Sequence, residues 1–173
     1  MTQERFGAVT LKGNPLTVIG AALAVGDKAP AFELVANDLS KVSHEQFAGK
    51  VRLISVVPSL DTGICDQQTR RFNEEAANFG DDVVILAVSA EHPWNQRRWC
   101  GASGVEQVKV LSDHLEMNFG TAFGTYIKEL RLNQRSIFVI DRDDTVTYVE
   151  YVPAIAQFPD FDSALAALRA AAA

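Results

Sequence analysis

The sequence is poor in the residues that define several specialised classes of protein. Among its 173 residues there are only 2 cysteines and 3 histidines. Two cysteines are too few for a scaffold held together by disulfides. No run of about 18 apolar residues is present to span a membrane. The polar segment Met1–Phe6 lacks the basic-then-apolar order of a signal peptide. We therefore expect a cytoplasmic protein without membrane segments.

Basic residues are also in deficit. There are 16 Lys and Arg against 22 Asp and Glu, which gives a formal net charge of -6. A nucleic-acid-binding surface needs the opposite balance, so we expect no nucleic-acid partner. The hydrophobic content of 47% is ordinary for a globular protein. A chain of this length can bury a substantial core, and we expect residues 1–173 to form one domain.

The few cysteines and histidines do not follow the spacing of common metal or redox motifs. His44, His92 and His114 are scattered along the chain. We expect no metal and no other cofactor, although a zinc site made from both cysteines and two histidines is an open alternative. Cys65 and Cys100 do not form a Cys-x-x-Cys motif, which argues against a general thiol–disulfide exchange protein.

The order of apolar segments predicts an α/β protein with a mixed central sheet covered by helices on both faces. The turn residues at 13–15, between two short apolar segments, predict an N-terminal β-hairpin. Further strands are predicted at 32–35, 51–57, 83–88, 108–111, 136–140 and 145–152. Helices are predicted at 44–47, after residue 63 to about 79, from 93 to 100, and at 160–172.

The strongest chemical signal follows the strand predicted at 51–57, which is nearly continuous in apolar residues. This strand ends at Pro58, and after a short loop Cys65 falls in the first turn of a helix. The N–H groups and dipole of a helix N-terminus favour a thiolate at that position. Thr62 stands near the helix cap, within reach of the sulfur or of an oxygen bound beside it. Pro58 stiffens the strand exit and shields the thiol from water. The alternative is that Cys65 packs as a small hydrophobic residue.

The pattern Pro-x-x-x-Thr-x-x-Cys, formed by Pro58, Thr62 and Cys65, resembles the signature of peroxiredoxins. The longer string at 56–73 is similar to the thiol peroxidase subfamily in particular. Further similar blocks follow the same order along the chain, at 11–15, 111–114, 127–132 and 149–153. The resemblance implies a thioredoxin-like fold and an enzyme that reduces hydrogen peroxide and organic hydroperoxides to water and alcohols.

The resemblance also implies a role for each candidate site residue. It makes Cys65 the peroxidatic cysteine, whose thiolate is oxidised to a sulfenic acid. It makes Cys100 the resolving cysteine, which closes an intramolecular disulfide that thioredoxin reopens, and it implies a homodimer. It makes Arg135, at the start of a strand, the active-site arginine. Without the resemblance, Arg135 is more simply an ion-pairing residue and Cys100 a packed one.

Trp99 stands where the resembled family more often has phenylalanine, and we expect this difference to affect how the helix that carries Cys100 moves. We expect Trp94 and Trp99 to be packing residues rather than a ligand site. The main alternative function is a redox-switched sensor, in which a disulfide between Cys65 and Cys100 changes a surface and the protein oxidises only once.

Overall fold

A mixed sheet of seven strands organises the protein. The computed structural model describes residues 1–173. The strands are β1 (Glu4–Leu11), β2 (Asn14–Ile19), β3 (Glu33–Val35), β4 (Lys41–Ser43), β5 (Val51–Val56), β6 (Val83–Ser89), β7 (Lys109–Ser112), β8 (Tyr126–Ile127), β9 (Leu132–Asn133), β10 (Ser136–Ile140) and β11 (Val146–Tyr151). The helices are α1 (Gly63–Ala76), α2 (Pro93–Ser103), α3 (Asn118–Phe123) and α4 (Phe161–Ala172), with a 3-10 turn at His44–Phe47.

The seven strands lie in the order β11-β10-β5-β6-β7-β3-β4. The centre of this sheet is parallel and its flanks are antiparallel. Strand β6 pairs in parallel with β5 and β7, whereas β10 pairs antiparallel with β5. Every residue of β5 is buried, because helices cover both faces of the sheet. One core cluster joins β5 to α1, α2 and α4, and the other joins it to α3 and the 3-10 turn. The predicted mixed sheet with helices on both faces is confirmed. None of the four helices has the length and apolar character to cross a bilayer.

The N-terminal hairpin is confirmed, but its turn lies earlier in the sequence than the predicted residues 13–15. Strands β1 and β2 pair antiparallel and join β8 and β9 in a second, four-stranded sheet. The turn consists of Lys12 and Gly13, whose φ angles are 50° and 81°. Positive φ at both positions is what a two-residue turn between twisted strands requires. Asn14 and Pro15, predicted to be turn residues, are the first residues of β2.

Four short elements have no counterpart among the predicted ones: β4, β8, β9 and α3. They contain 2 to 6 residues each, too few for a periodic pattern. Helix α3 depends instead on a side chain that precedes it, beyond the usual capping position. The carboxylate of Asp113 accepts hydrogen bonds from the N–H groups of Phe119 and Gly120, at 3.0 and 2.8 Å. Such an anchor satisfies helix N-terminal donors without a local capping residue.

The same buried carboxylate fixes the segment that leads into β10. Asn133 donates to Asp113 at 3.1 Å and accepts from the Thr125 hydroxyl at 2.9 Å. Burial raises the pKa of Asp113, while its hydrogen bonds act in the opposite direction. The Gln134 side chain donates to the Val152 carbonyl at 3.0 Å. This cluster therefore holds the residue that follows, Arg135, against the neighbouring strands.

Substitution of Gly120 tests how closely this cluster is packed. A Cβ at Gly120 would lie 2.3 Å from Asn133 Oδ1. We expect Gly120→Ala to lower the free energy of unfolding by about 2–4 kcal/mol, through overpacking and loss of a buried hydrogen bond. Gly101→Ala is the matched control, because Gly101 lies inside α2 with no atom within 4 Å of a Cβ. It should stabilise the protein by about 0.5–1 kcal/mol. Urea unfolding that ranked the two variants in the opposite order would contradict this packing.

Candidate active site

Cys65 lies in the first turn of α1, just beyond the carboxyl end of β5. Its side chain is fully buried and belongs to the same core cluster as Val57 and Leu60. The first hydrogen bond of the helical ladder runs from the Asp66 N–H to the Thr62 carbonyl, at 2.9 Å. The three preceding N–H groups, at Gly63, Ile64 and Cys65, therefore stand outside the ladder. Such groups favour negative charge beside them.

Thr62 is the N-cap of α1, but its side chain does not cap the helix. Its hydroxyl donates to the Ser59 carbonyl at 3.1 Å and makes no hydrogen bond to Cys65. The expected reach from Thr62 to the sulfur is therefore not used in this structure, because the hydroxyl is held within the loop. Pro58 is buried two residues beyond the end of β5, as expected for a residue at the strand exit.

Arg135 brings a buried positive charge to the thiol. Its Nη2 lies 3.3 Å from Cys65 Sγ and 2.9 Å from the Ile155 carbonyl oxygen. Its Nη1 donates to Gln68 Oε1 at 2.8 Å. The side chain is only 1% exposed. Arg135 is the residue immediately before β10, so the predicted position at the start of a strand is correct.

No carboxylate neutralises the Arg135 guanidinium, which takes part in none of the six ion pairs of the protein. Its contacts are two neutral oxygens and the sulfur, and its Nε has no hydrogen-bond partner. A buried charge without a counterion is costly, and the Cys65 sulfur is the remaining polar atom that the guanidinium contacts. Gln68 is held in turn by Ser55 of β5, whose hydroxyl oxygen lies 2.7 Å from Gln68 Nε2.

Cys100 lies in α2 and is half-buried against the cluster that contains Cys65. Both cysteines are free thiols. Burial raises the pKa of the Cys100 thiol, partly offset by the Asn37 side-chain amide, whose Nδ2 lies 3.9 Å from Cys100 Sγ. Burial therefore disfavours deprotonation of Cys100 in this conformation.

Helices α1 and α2 are tied together beside the two cysteines. The Trp99 indole N–H donates to Asp66 Oδ1 at 3.0 Å, and Arg70 donates to the other oxygen of Asp66 at 2.8 Å. Arg70 also donates to the Ser103 carbonyl at 2.9 Å. Asp66 and Arg70 belong to the helix of Cys65, while Trp99 and Ser103 belong to the helix of Cys100. We refer to these four residues as the interhelical tie.

Of the two tryptophans expected to pack, only Trp99 does so. Trp99 is 9% exposed, whereas Trp94 is 62% exposed and contacts the edge of the His92 ring. Trp94 lies in the first turn of α2, on the side turned away from the sheet. No group of three or more His, Cys, Asp or Glu side chains is arranged to hold a metal ion.

Sequence reasoning missed the residues that support the two cysteines. Gln68 follows Cys65 by three positions, so helical spacing was a usable signal that they share a face. Glu91 accepts from the Ser59 hydroxyl and the Leu60 N–H in the loop before Cys65. It follows β6, the parallel neighbour of β5, and the carboxyl ends of such strands meet at one edge of the sheet. Asn37 had no such signal, because it lies in the turn between β3 and β4.

Comparison with known proteins agrees with this arrangement. The family model described as Redoxin matches residues 24–168, which is most of the chain. The chain belongs to the Redoxin family. It is 56% identical to the thiol peroxidase of Halalkalibacterium halodurans, over 96% of this chain and 99% of that protein. It is 51% identical to the thiol peroxidase of Bacillus subtilis, over 94% and 96% of the two chains.

Solved structures place the fold in the same group. A peroxiredoxin-like protein from Aquifex aeolicus superposes with a TM-score of 0.88 at 34% identity, covering 98% of both chains. A thiol peroxidase from Chromobacterium violaceum has the same fold, with a TM-score of 0.82 at 22% identity. The predicted thioredoxin-like fold and the resemblance to thiol peroxidases are confirmed, and the chain is an enzyme of the peroxiredoxin type.

The contact between Arg135 and Cys65 in this peroxiredoxin is testable by titration. In a Cys100→Ser background, which leaves one thiol, Arg135→Ala should lower the thiolate fraction at neutral pH about tenfold or more, because the adjacent positive charge is lost. The ultraviolet absorbance of the thiolate, followed against pH, measures that fraction. Arg98→Ala is the matched control, since Arg98 is exposed and has no polar partner. An unchanged titration in Arg135→Ala would remove Arg135 from the site.

Proposed function

We propose that the chain reduces hydrogen peroxide and organic hydroperoxides at Cys65 and is recycled by thioredoxin. The observation that carries this proposal is the buried guanidinium of Arg135 at 3.3 Å from Cys65 Sγ, with no carboxylate to neutralise it. A thiolate is the nucleophile that attacks a peroxide. The proposal treats residues 1–173 as one domain that acts without a metal or organic cofactor.

In the first step, the Cys65 thiolate attacks the terminal oxygen of the hydroperoxide. An S–O bond forms and the O–O bond breaks, which gives a sulfenic acid on Cys65 and an alkoxide that takes up a proton to become an alcohol or water. The free N–H groups of α1 and the Arg135 guanidinium are suited to stabilise the charge on the departing oxygen. The Thr62 hydroxyl, while donating to Ser59, keeps lone pairs that can accept a hydrogen bond from the peroxide. Pro58 keeps water from the thiolate.

In the second step, Cys100 attacks the sulfenic sulfur of Cys65, so that an S–S bond forms and water leaves. A disulfide requires Cα atoms within about 7 Å. Cys65 is fully buried, and Cys100 is half-buried in α2, with Asn37 Nδ2 at 3.9 Å from its Sγ. The proposal therefore includes a local rearrangement of α2, of the first turn of α1, or of both before the disulfide closes.

In the third step, a thioredoxin dithiol reduces the disulfide between Cys65 and Cys100 and becomes oxidised itself. A catalytic disulfide that is reopened in every cycle suits a reducing compartment, so we propose a cytoplasmic location. We also propose a homodimer as the working form.

The proposal is tested by peroxide turnover with thioredoxin, its reductase and NADPH. The unsubstituted protein, called the parent below, should consume many equivalents of peroxide for each protein chain. Cys65→Ser should consume none, because the nucleophile is absent. Cys100→Ser should react with about one equivalent and then stall or overoxidise. A parent that oxidises once and is not recycled would favour the redox sensor, and turnover by Cys65→Ser would contradict the mechanism.

The interhelical tie predicts that this chain closes its disulfide more slowly than a variant without the Trp99 N–H. Trp99→Phe keeps an aromatic ring but removes the hydrogen bond to Asp66. Because the proposed closure moves α2, a net loss of about 0.5–1.5 kcal/mol corresponds to roughly twofold to thirteenfold faster closure. Thiol alkylation at timed intervals after peroxide addition measures closure, and intact mass measures overoxidised Cys65, which should decrease.

Trp94→Phe is the control for this experiment, because Trp94 is exposed and its indole N–H has no partner. It should close at the parent rate. Unchanged or slower closure in Trp99→Phe would mean that the tie does not restrain the helix of Cys100.

A further inference from the structure

The carboxylate of Glu91 accepts hydrogen bonds from two segments near Cys65 and forms no ion pair. Its Oε1 accepts from the Ser59 hydroxyl at 2.7 Å, and both carboxylate oxygens lie 3.0 Å from the Leu60 N–H. Its Oε2 accepts from the Ser89 hydroxyl at 2.6 Å. Glu91 is half-buried and takes part in no ion pair. The carboxylate of Glu91 therefore fixes the Ser59 hydroxyl, the Leu60 N–H and the Ser89 hydroxyl in place, and it does not neutralise a cationic side chain.

Through Ser59, this carboxylate is connected to Thr62. The Ser59 hydroxyl donates to Glu91 and accepts from the Asp61 N–H at 3.3 Å. The Ser59 carbonyl accepts from both the N–H and the hydroxyl of Thr62, at 3.3 and 3.1 Å. The orientation of the Thr62 hydroxyl is thus set by Ser59, and the orientation of Ser59 by Glu91. We call Glu91, Ser59 and Thr62 the loop relay.

The outer end of the relay is fixed to the sheet. Ser89 is the last residue of β6 and accepts from Gln96 Nε2 at 2.9 Å. Gln96 is fully buried and also donates to the Leu111 carbonyl at 3.0 Å. Through Ser89 and Gln96, Glu91 therefore connects β6 and β7 to the loop before Cys65.

We infer that Glu91 is a positioning residue for the peroxide step, which orients the loop from Ser59 to Thr62 so that its donors and acceptors meet the peroxide. This inference rests on the proposed function. Leu60 is 1% exposed, so its N–H cannot turn to water when Glu91 is removed without displacing a buried side chain. A displacement of about 1 Å at such a site costs up to roughly a hundredfold in rate.

Two reactions of Cys65 distinguish the orientation of the loop from a general change in the reactivity of the thiol. Alkylation by iodoacetamide needs an accessible thiolate but no partner for a breaking O–O bond, whereas reaction with hydrogen peroxide needs both. In a Cys100→Ser background, we expect Glu91→Ala to lower the rate constant for peroxide about tenfold to a hundredfold. The alkylation rate should stay within about twofold of the background.

Conservative and matched variants complete the test. Glu91→Gln keeps Oε1 for Ser59 and Leu60, and the Ser89 hydroxyl can rotate to accept from the new amide, so most of the peroxide rate should return. Ser59→Ala removes the hydroxyl that donates to Glu91 but keeps the backbone carbonyl that accepts from Thr62, so it should lower the peroxide rate in the same direction as Glu91→Ala, by a smaller factor. Glu74→Ala removes an exposed carboxylate on α1 and should change neither reaction.

Three results would overturn the inference: an unchanged peroxide rate in Glu91→Ala, a parallel fall in both reactions, or a Glu91→Gln variant as slow as Glu91→Ala. Glu91→Gln and Ser59→Ala decide the question if Glu91→Ala does not fold. A Cys100→Ser background that itself fails to react with peroxide would instead count against the proposed function, so the two failures are distinct.

Discussion

The buried guanidinium of Arg135 is the constraint on which the site depends. Removing an unpaired charge from water costs several kcal/mol, and neutral oxygens from Gln68 and Ile155 offset only part of that cost. The remaining partner of the guanidinium is Cys65 Sγ, at 3.3 Å from Nη2. Much of the surrounding structure serves to hold this pair. The antiparallel register of β10 and β5 aligns Ser136 with Val56, which brings the start of β10 to the strand exit.

Rigidity in the first step conflicts with the movement required in the second. A fully buried Cys65 between a fixed arginine and ordered loop donors is well placed for a peroxide, but it is inaccessible to a second thiol. Helix α2 is the element suited to resolve this conflict. It contains Gly101 and ends at Gly104 with a φ of 70°, so its final turns have low intrinsic helix propensity. In the proposed mechanism, the interhelical tie opposes the release of α2, and the balance between the two would set how long a sulfenic acid on Cys65 persists.

The sequence was most informative where structure and chemistry are local. The apolar run of β5, the loop after it and the first turn of α1 are contiguous, so the arrangement of Pro58, Thr62 and Cys65 followed from order alone. Arg135 lies 70 residues from Cys65, and only the family resemblance connected them. The helical spacing of Gln68 and the position of Glu91 after β6 place both residues near the site, but their hydrogen bonds to Arg135 and Ser59 depend on tertiary packing, which composition and spacing do not encode. Trp94 was wrongly expected to pack, because residue type does not reveal which side of a short helix faces the sheet.

The central claim is that Cys65 is the thiol that peroxide oxidises and that Cys100 resolves it within the same chain. The most direct measurement is a non-reducing peptide map of the fully reduced protein after one equivalent of hydrogen peroxide. The account predicts one intramolecular link, between the peptides that carry Cys65 and Cys100. Two untouched thiols would contradict it, because Cys65 would then be a packed residue that the neighbouring arginine does not activate.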